Sequence, residues 1–195
     1  MPRWRPDAQT RLEAAALELF AENGYDHTTV SDIAQRAGLT KRSFFRYFPD
    51  KREVLFAGTE TLSGLLRQSV ESSPTDDQPW TVMTSALINS GELLTAERAL
   101  SQLRRAVIAD NPELREREVL KTAQLEDLLV GFLGERGVDA SDARYLARLA
   151  LVVLQQAFNY WLDEAPGLPF ADFVTRAVDD LRNALSRGGV TPARL

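Results

Sequence analysis

The chain has 195 residues, 44% of them hydrophobic, with no cysteine and a formal net charge of −5. That is enough apolar material for a full core, but no apolar run approaches the roughly 20 residues of a membrane span, and the opening MPRWRPDAQTRL has no hydrophobic stretch behind its basic residues, so neither a membrane anchor nor a signal peptide is expected. Without cysteine there are no disulfides and no thiolate metal site, and a reducing cytoplasm is the simplest setting.

The first helix is predicted from Asp7 to about Asn23, where Leu12, Ala15, Ala16, Leu19 and Phe20 form one stripe and Gly24 ends it. Ahead of it, Arg3, Trp4 and Arg5 make a short arm of the kind that can enter a DNA minor groove. The second helix begins behind Thr29, whose hydroxyl can cap orphan backbone amides while Asp32, three residues on, reaches back. Val30, Ile33, Ala34 and Ala37 then share one face. Ala37-Gly38-Leu39-Thr40 supplies a turn, with Gly38 tolerant of positive φ and Thr40 suited to cap a third helix over about Lys41 to Phe48. Phe44 and Phe48, four apart, pack that helix on its scaffold, which leaves Lys41, Arg42, Ser43, Phe45, Arg46 and Tyr47 on its outer and N-terminal surfaces.

Those outward residues suit nucleic acid. Lysine and arginine donate to guanine O6 and N7, Ser43 and Tyr47 can hydrogen-bond phosphate oxygens, and Phe45 can meet a thymine methyl. From Arg36 to Arg52 there are six basic residues and one acid, Asp50. Residues 1–55 hold nine basic and eight acidic residues and the remainder fourteen and twenty, so the positive charge belongs to the N-terminal part alone.

A fourth helix is predicted from Asp50, with Glu53 completing its capping box, carrying Val54, Leu55, Gly58, Leu62, Leu65 and Leu66 to about Ser69. The polar, proline-containing Ser72 to Pro79 reads as a loop. Further helical segments follow at about 80–94, 96–109, 112–136, 140–164 and 169–187, with no strand pattern. The fold class is therefore all-α, about nine helices, a three-helix helix-turn-helix head on a larger helical body. Segment 145–162 is apolar nearly all round, which predicts burial on both sides. Segment 170–185 carries Phe170, Phe173, Val174, Ala177, Val178, Leu181 and Leu185 at helical spacing. Pairing both with their copies in a second subunit makes a four-helix homodimer interface. Two recognition helices related by a twofold axis then read an inverted repeat with half-sites about 34 Å or more apart.

From the first helix through AENGYDHTTVSDIAQRAGLTKRSFFRYFPDKREVLF the chain resembles the tetracycline-repressor (TetR) family of bacterial transcription regulators. The likeness rests on Gly24-Tyr25, Thr28-Thr29-Val30, Ile33-Ala34, Ala37-Gly38, Tyr47-Phe48 and Lys51. It implies a DNA-binding domain over residues 1–50 and an effector-binding and dimerisation domain over 51–195. It also implies phosphate contacts from Thr29, Ser31, Tyr47 and Lys51, and base-edge contacts from Lys41, Arg42, Ser43, Phe45 and Arg46. Arg42 stands where many relatives carry a small residue or proline, which adds a potential guanine contact. Phe45 stands where they carry tyrosine, which removes a polar one.

The resemblance further implies a ligand pocket in the body, for which the residues expected are Trp80, Met83, Leu103, Val107, Gln124, Leu128, Phe132, Gln155, Phe158, Asn159 and Trp161. Large apolar residues with few ionic partners suit a hydrophobic or amphipathic small molecule. A fatty-acyl thioester is one candidate, with Arg104, Arg105 or Arg115 for its anionic group. Such a ligand acts by favouring a body conformation in which the two heads are wrongly spaced, with the helix from Asp50 as the lever.

An enzyme is not expected, and neither a cofactor, a bound metal nor a catalytic residue is assigned. The single histidine, His27, stands in the link before the second helix and reads as an exposed turn residue or a phosphate neighbour. No Walker sequence or GxGxxG occurs. The alternative function is an all-α interaction module whose basic helix meets an acidic protein partner in place of double-stranded DNA.

Overall fold

Ten α-helices and one short 3-10 helix, with no strand, make up the described residues 8–164 and 167–188 of this computed structural model. The Arg3-Trp4-Arg5 arm lies outside the described residues. The chain forms two compact units. One takes the described residues through Glu60 together with Glu97–Lys121, and the other takes Thr61–Ala96 with those from Thr122 onward.

The first unit holds α1 (Ala8–Asn23), α2 (Val30–Arg36), α3 (Lys41–Tyr47), the 3-10 helix Glu53–Phe56, α7 (Arg98–Asp110) and the opening turns of α8 (Pro112–Glu135). Its core joins Leu12, Ala16 and Phe20 of α1 to Ile33, Phe44, Phe48, Val54 and Leu55, and is completed by Val107, Ile108 and Leu114. Leu12, Ile33 and Phe44 are wholly buried, each contributing about 1.5–3 kcal/mol relative to exposure. The periodicity of the first 50 residues thus folds as expected, but the lid on that core comes from residues 97–121, which sequence reading gave to the body.

The second unit holds the greater part of α4 (Gly58–Ser72), α5 (Pro79–Asn89), α6 (Gly91–Thr95), the rest of α8, α9 (Ala140–Asp163) and α10 (Phe170–Arg187). Its core packs α5 and α10 against the Ala143, Ala147, Ala150, Leu154, Ala157 and Trp161 side of α9. The opposite side of α9 leaves Tyr145 69% and Val152 54% exposed, so within one chain the helix is buried on one side only.

Two predicted helices are each divided. The segment from Asp50 begins with Asp50 Oδ1 accepting from the amides of Arg52 (2.8 Å) and Glu53 (3.2 Å), yet Glu53 does not reach back. Its carboxylate is taken instead by Arg117 (2.6 Å) and Lys121 (2.9 Å), and a 3-10 turn precedes α4. The expected 80–94 helix breaks at Ser90, where α6 starts with buried Gly91. A Cβ on Gly91 would stand 2.9 Å from Cβ of Phe170, so the glycine lets α10 approach. The break at Ser90 raises the expected nine helices to ten among the described residues, and the division after Asp50 adds the 3-10 helix.

Candidate nucleic-acid interface

The geometry of α2 and α3 follows from their caps. Thr29 Oγ1 accepts from the Asp32 amide at 3.2 Å, and Asp32 Oδ2 accepts from the Thr29 amide at 2.9 Å and its hydroxyl at 2.6 Å, a closed capping box. Those bonds hold the Asp32 carboxyl below the usual range. At the other end Gly38 lies at φ +66°, its amide donates to Gln35 O (2.9 Å), and the Leu39 amide donates to Ala34 O (2.8 Å). This is a Schellman closure, which satisfies the last carbonyls of α2 while turning the chain. The Arg11 guanidinium donates to Ala37 O, so α1 braces the turn from outside.

Thr40 then caps α3, accepting from the Ser43 amide at 3.1 Å and pairing with the Ser43 hydroxyl at 2.9 Å. Phe44 and Phe48 face inward with ring centroids 5.5 Å apart. Lys41, Arg42, Phe45 and Arg46 face outward, with Phe45 49% exposed, while Ser43 and Tyr47 are half-buried. Lys41 Nζ stands 6.0 Å from the Phe45 ring centre. The Arg46 guanidinium lies over the Tyr47 ring and donates to its hydroxyl at 2.6 Å. Arg42 is exposed, with no hydrogen bond or ion pair to restrain it among the described residues. Thr29 and Ser31 are exposed at the start of α2.

The six basic residues are not electrically equal. Arg36 is bracketed by Glu22 at 2.7 Å and Glu18 at 3.4 Å, carboxylates one turn apart on α1. Arg52 pairs with Asp50 at 2.8 Å. Lys51 points at backbone carbonyls, the nearest being Tyr25 O at 2.8 Å. The outward positive charge is therefore concentrated on Lys41, Arg42 and Arg46 of one helix, which is sharper than the count along the chain suggested.

The expected effector residues fall in both units. Leu103 and Val107 belong to α7 and pack in the first unit's core, where they line a cavity of about 460 Å³ with Phe20, Tyr25, His27 and Asp110. In the second unit Met83, Phe132 and Trp161 are buried, Trp80, Phe158 and Asn159 are half-buried, and the Phe158 and Trp161 rings lie 5.4 Å apart. Gln124, Leu128 and Gln155 are exposed. Arg104, a candidate for an anionic group, is committed elsewhere. It donates to Leu55 O at 2.5 Å, lies over the Phe56 ring and stands 3.6 Å from Glu118, all in the first unit. Sequence reading missed Arg11 and Glu53 as braces of the head because their partners lie 26 and 64 residues away.

Comparison with known proteins bears on the whole arrangement. Residues 12–57 match a family model described as bacterial regulatory proteins, tetR family, and residues 77–186 match one described as the MftR C-terminal domain. The chain is 30% identical over 139 residues to the HTH-type transcriptional regulator TcmR of Streptomyces glaucescens, which covers 68% of this chain and 62% of that protein. It is 26% identical over 170 residues to the putative mycofactocin biosynthesis transcriptional regulator MftR of Mycobacterium tuberculosis, covering 85% and 86% of the two chains. Among solved structures it resembles Thermus thermophilus FadR, a TetR-family transcriptional repressor in complex with lauroyl-CoA, with TM-score 0.55, 26% identity and coverage of 89% and 93%. A capped helix-turn-helix with a basic outer face, continued by an all-helical second unit, and these matches across both parts of the chain, make it a member of the TetR family of transcriptional regulators.

Proposed function

We propose that the protein is a ligand-responsive repressor that binds an inverted-repeat operator as a homodimer and is released by a hydrophobic or amphipathic small molecule. The observation that carries this reading is the outer face of α3, where Lys41, Arg42, Phe45 and Arg46 stand exposed on a helix whose other side is locked by Phe44 and Phe48. In this reading Lys41, Arg42, Ser43, Phe45 and Arg46 meet base edges, and Thr29, Ser31, Tyr47 and Lys51 hold phosphates. The dimer is supported by α9 and α10, whose outer sides leave Tyr145, Val152 and Leu185 exposed beside half-buried Leu149 and Leu181. The effector class is supported by the apolar and aromatic residues Trp80, Met83, Phe132, Phe158 and Trp161 of the second unit, and by the lauroyl-CoA held by the Thermus FadR.

Selection from a randomised duplex pool tests the DNA reading. An enriched inverted repeat is the expected result, and enrichment of no sequence, with capture of an acidic protein instead, overturns it. Lauroyl-CoA added to the selected duplex complex should lower fluorescence anisotropy. Binding of that ligand with DNA affinity unchanged overturns the release scheme.

A further inference from the structure

The cavity of about 460 Å³ in the first unit lies where the connection after α1 meets the end of α7. Its lining divides by exposure. Phe20 and Val107 are buried and Leu103 half-buried, whereas Asp26, His27 and Asp110 stand exposed. Neither carboxylate has an ion pair or a side-chain hydrogen bond among the described residues, and no lysine or arginine lines the space. Lys51 stands on the Tyr25 ring, 4.1 Å from its centre, outside the lining.

Two helices end at this cavity. α1 closes at Asn23 and α7 at Asp110, and neither has a basic residue in its last turn to offset the roughly half negative charge of a helix C-terminus. Acceptors collect there as well. Asn111 Nδ2 donates to Val107 O at 2.6 Å, which leaves the amide oxygen of Asn111 as an acceptor. Tyr25, 3% exposed, forms part of the wall, and its buried hydroxyl has no hydrogen-bond partner among the described residues. Burial, with the Glu113 carboxylate close by, keeps that phenol protonated.

We propose that this cavity is a ligand site of the first unit, separate from the effector residues of the second, and that it takes an organic ammonium ion with an apolar body. Asp26 and Asp110 meet the cation, and Phe20, Leu103 and Val107 meet the hydrocarbon. The volume falls within the roughly 300–1,000 Å³ of small-molecule sites, and apolar walls with a few polar groups are their usual make-up. An anion is excluded by the same lining. Two carboxylates and two helix ends repel it, and no basic side chain other than His27 answers it. Leu103 and Val107, expected from sequence to serve the effector, serve this site instead.

The test titrates benzylamine into the full chain without DNA, beside its uncharged counterpart benzyl alcohol, and follows the backbone amide resonances. Benzylamine is expected to saturate with a dissociation constant of about 1 mM, its shifts confined to residues 24–27 and 106–111 with the neighbours they touch. Benzyl alcohol should bind about fivefold more weakly. Asp26→Asn and Asp110→Asn should each weaken the amine about fivefold and leave the alcohol unchanged. Asp127→Asn, which removes an exposed carboxylate of the second unit, should leave both as in wild type. Equal affinity for amine and alcohol, amine affinity untouched by both head variants, shifts that fall in the second unit, or no saturation by about 20 mM each overturn the proposal. Should an aspartate variant unfold, the wild-type shift map and the comparison of amine with alcohol still decide. Neither a duplex nor lauroyl-CoA enters the experiment, so its failure leaves the DNA and effector readings standing.

Discussion

Arg42 and Gly38 show how differently two neighbouring positions carry the head's work. Arg42 is exposed and unrestrained on the outer face of α3, so its contribution is expected to lie in recognition and not in folding. Arg42→Ala should weaken binding to the selected duplex by about 1–3 kcal/mol and relax preference at one base pair, with an unchanged thermal melt; a lower melting temperature with unaltered base preference would reassign it to the scaffold. Gly38 is the reverse case. Its φ of +66° is strained for any side chain, and a Cβ there would stand 2.9 Å from the Arg11 guanidinium that holds Ala37 O. Gly38→Ala is expected to cost about 1–2 kcal/mol in urea unfolding, and affinity for the selected duplex should fall with it, because the turn sets the angle between α2 and α3.

At the scale of elements, the 3-10 helix Glu53–Phe56 is clamped by α7 and α8. Glu53 keeps 15% of its side-chain surface while Arg117 and Lys121 close on its two oxygens, and Arg104 holds Leu55 O. Burial pushes the Glu53 carboxyl up, but hydrogen bonds from Lys121 and Arg117 outweigh it and leave the group below the ordinary glutamate range. A carboxylate with a depressed folded value contributes stability that is complete above its unfolded value, about 4.3, and is lost as pH falls through the folded one. Glu53→Gln should therefore destabilise by about 2–3 kcal/mol at pH 7, less than for a fully buried pair, and the gap to wild type should narrow as pH drops below about 4. A gap that is constant with pH in paired urea titrations would show that the ion pairs contribute nothing. This clamp also marks where sequence reading stops. Thr29 with Asp32, Thr40 with Ser43, and Gly38 were legible because each cap is closed within a few residues. The partners of Glu53 arrive from α8, and the break at Ser90 and Gly91 is set by Phe170 of α10, neither of which leaves a local trace. The outward side of α3 was legible for the same local reason, whereas the neutralisation of Arg36 by Glu18 and Glu22 needed the packing of α2 on α1.

For the whole molecule, the proposed dimer gives the exposed side of α9 a purpose. Val152 and Tyr145 are 54% and 69% exposed on a helix otherwise lined with buried alanines and leucines. Val152→Asp should raise the dimer dissociation constant by roughly two orders of magnitude, read by sedimentation equilibrium, and should weaken binding to the inverted repeat in parallel while leaving helicity intact. An unchanged sedimentation profile would move the dimer contact to another surface. The effector residues expected from sequence were legible only as a list, because apolar side chains at helical spacing look alike until packing sorts them. That sorting put Leu103 and Val107 in one unit and Met83, Phe132 and Trp161 in the other.

The lid that residues 97–121 place on the first unit's core has a consequence for recombination. A single crossover near residue 50 of this chain is expected to cost the head stability, because the incoming head arrives without Val107, Ile108 and Leu114 and meets a foreign surface in their place. A workable graft has two seams and carries Glu97–Lys121 along with the N-terminal segment, or else confines itself to the outward residues of α3. New operator preferences are therefore expected most readily from point substitution on one helix face, that of Lys41, Arg42, Phe45 and Arg46.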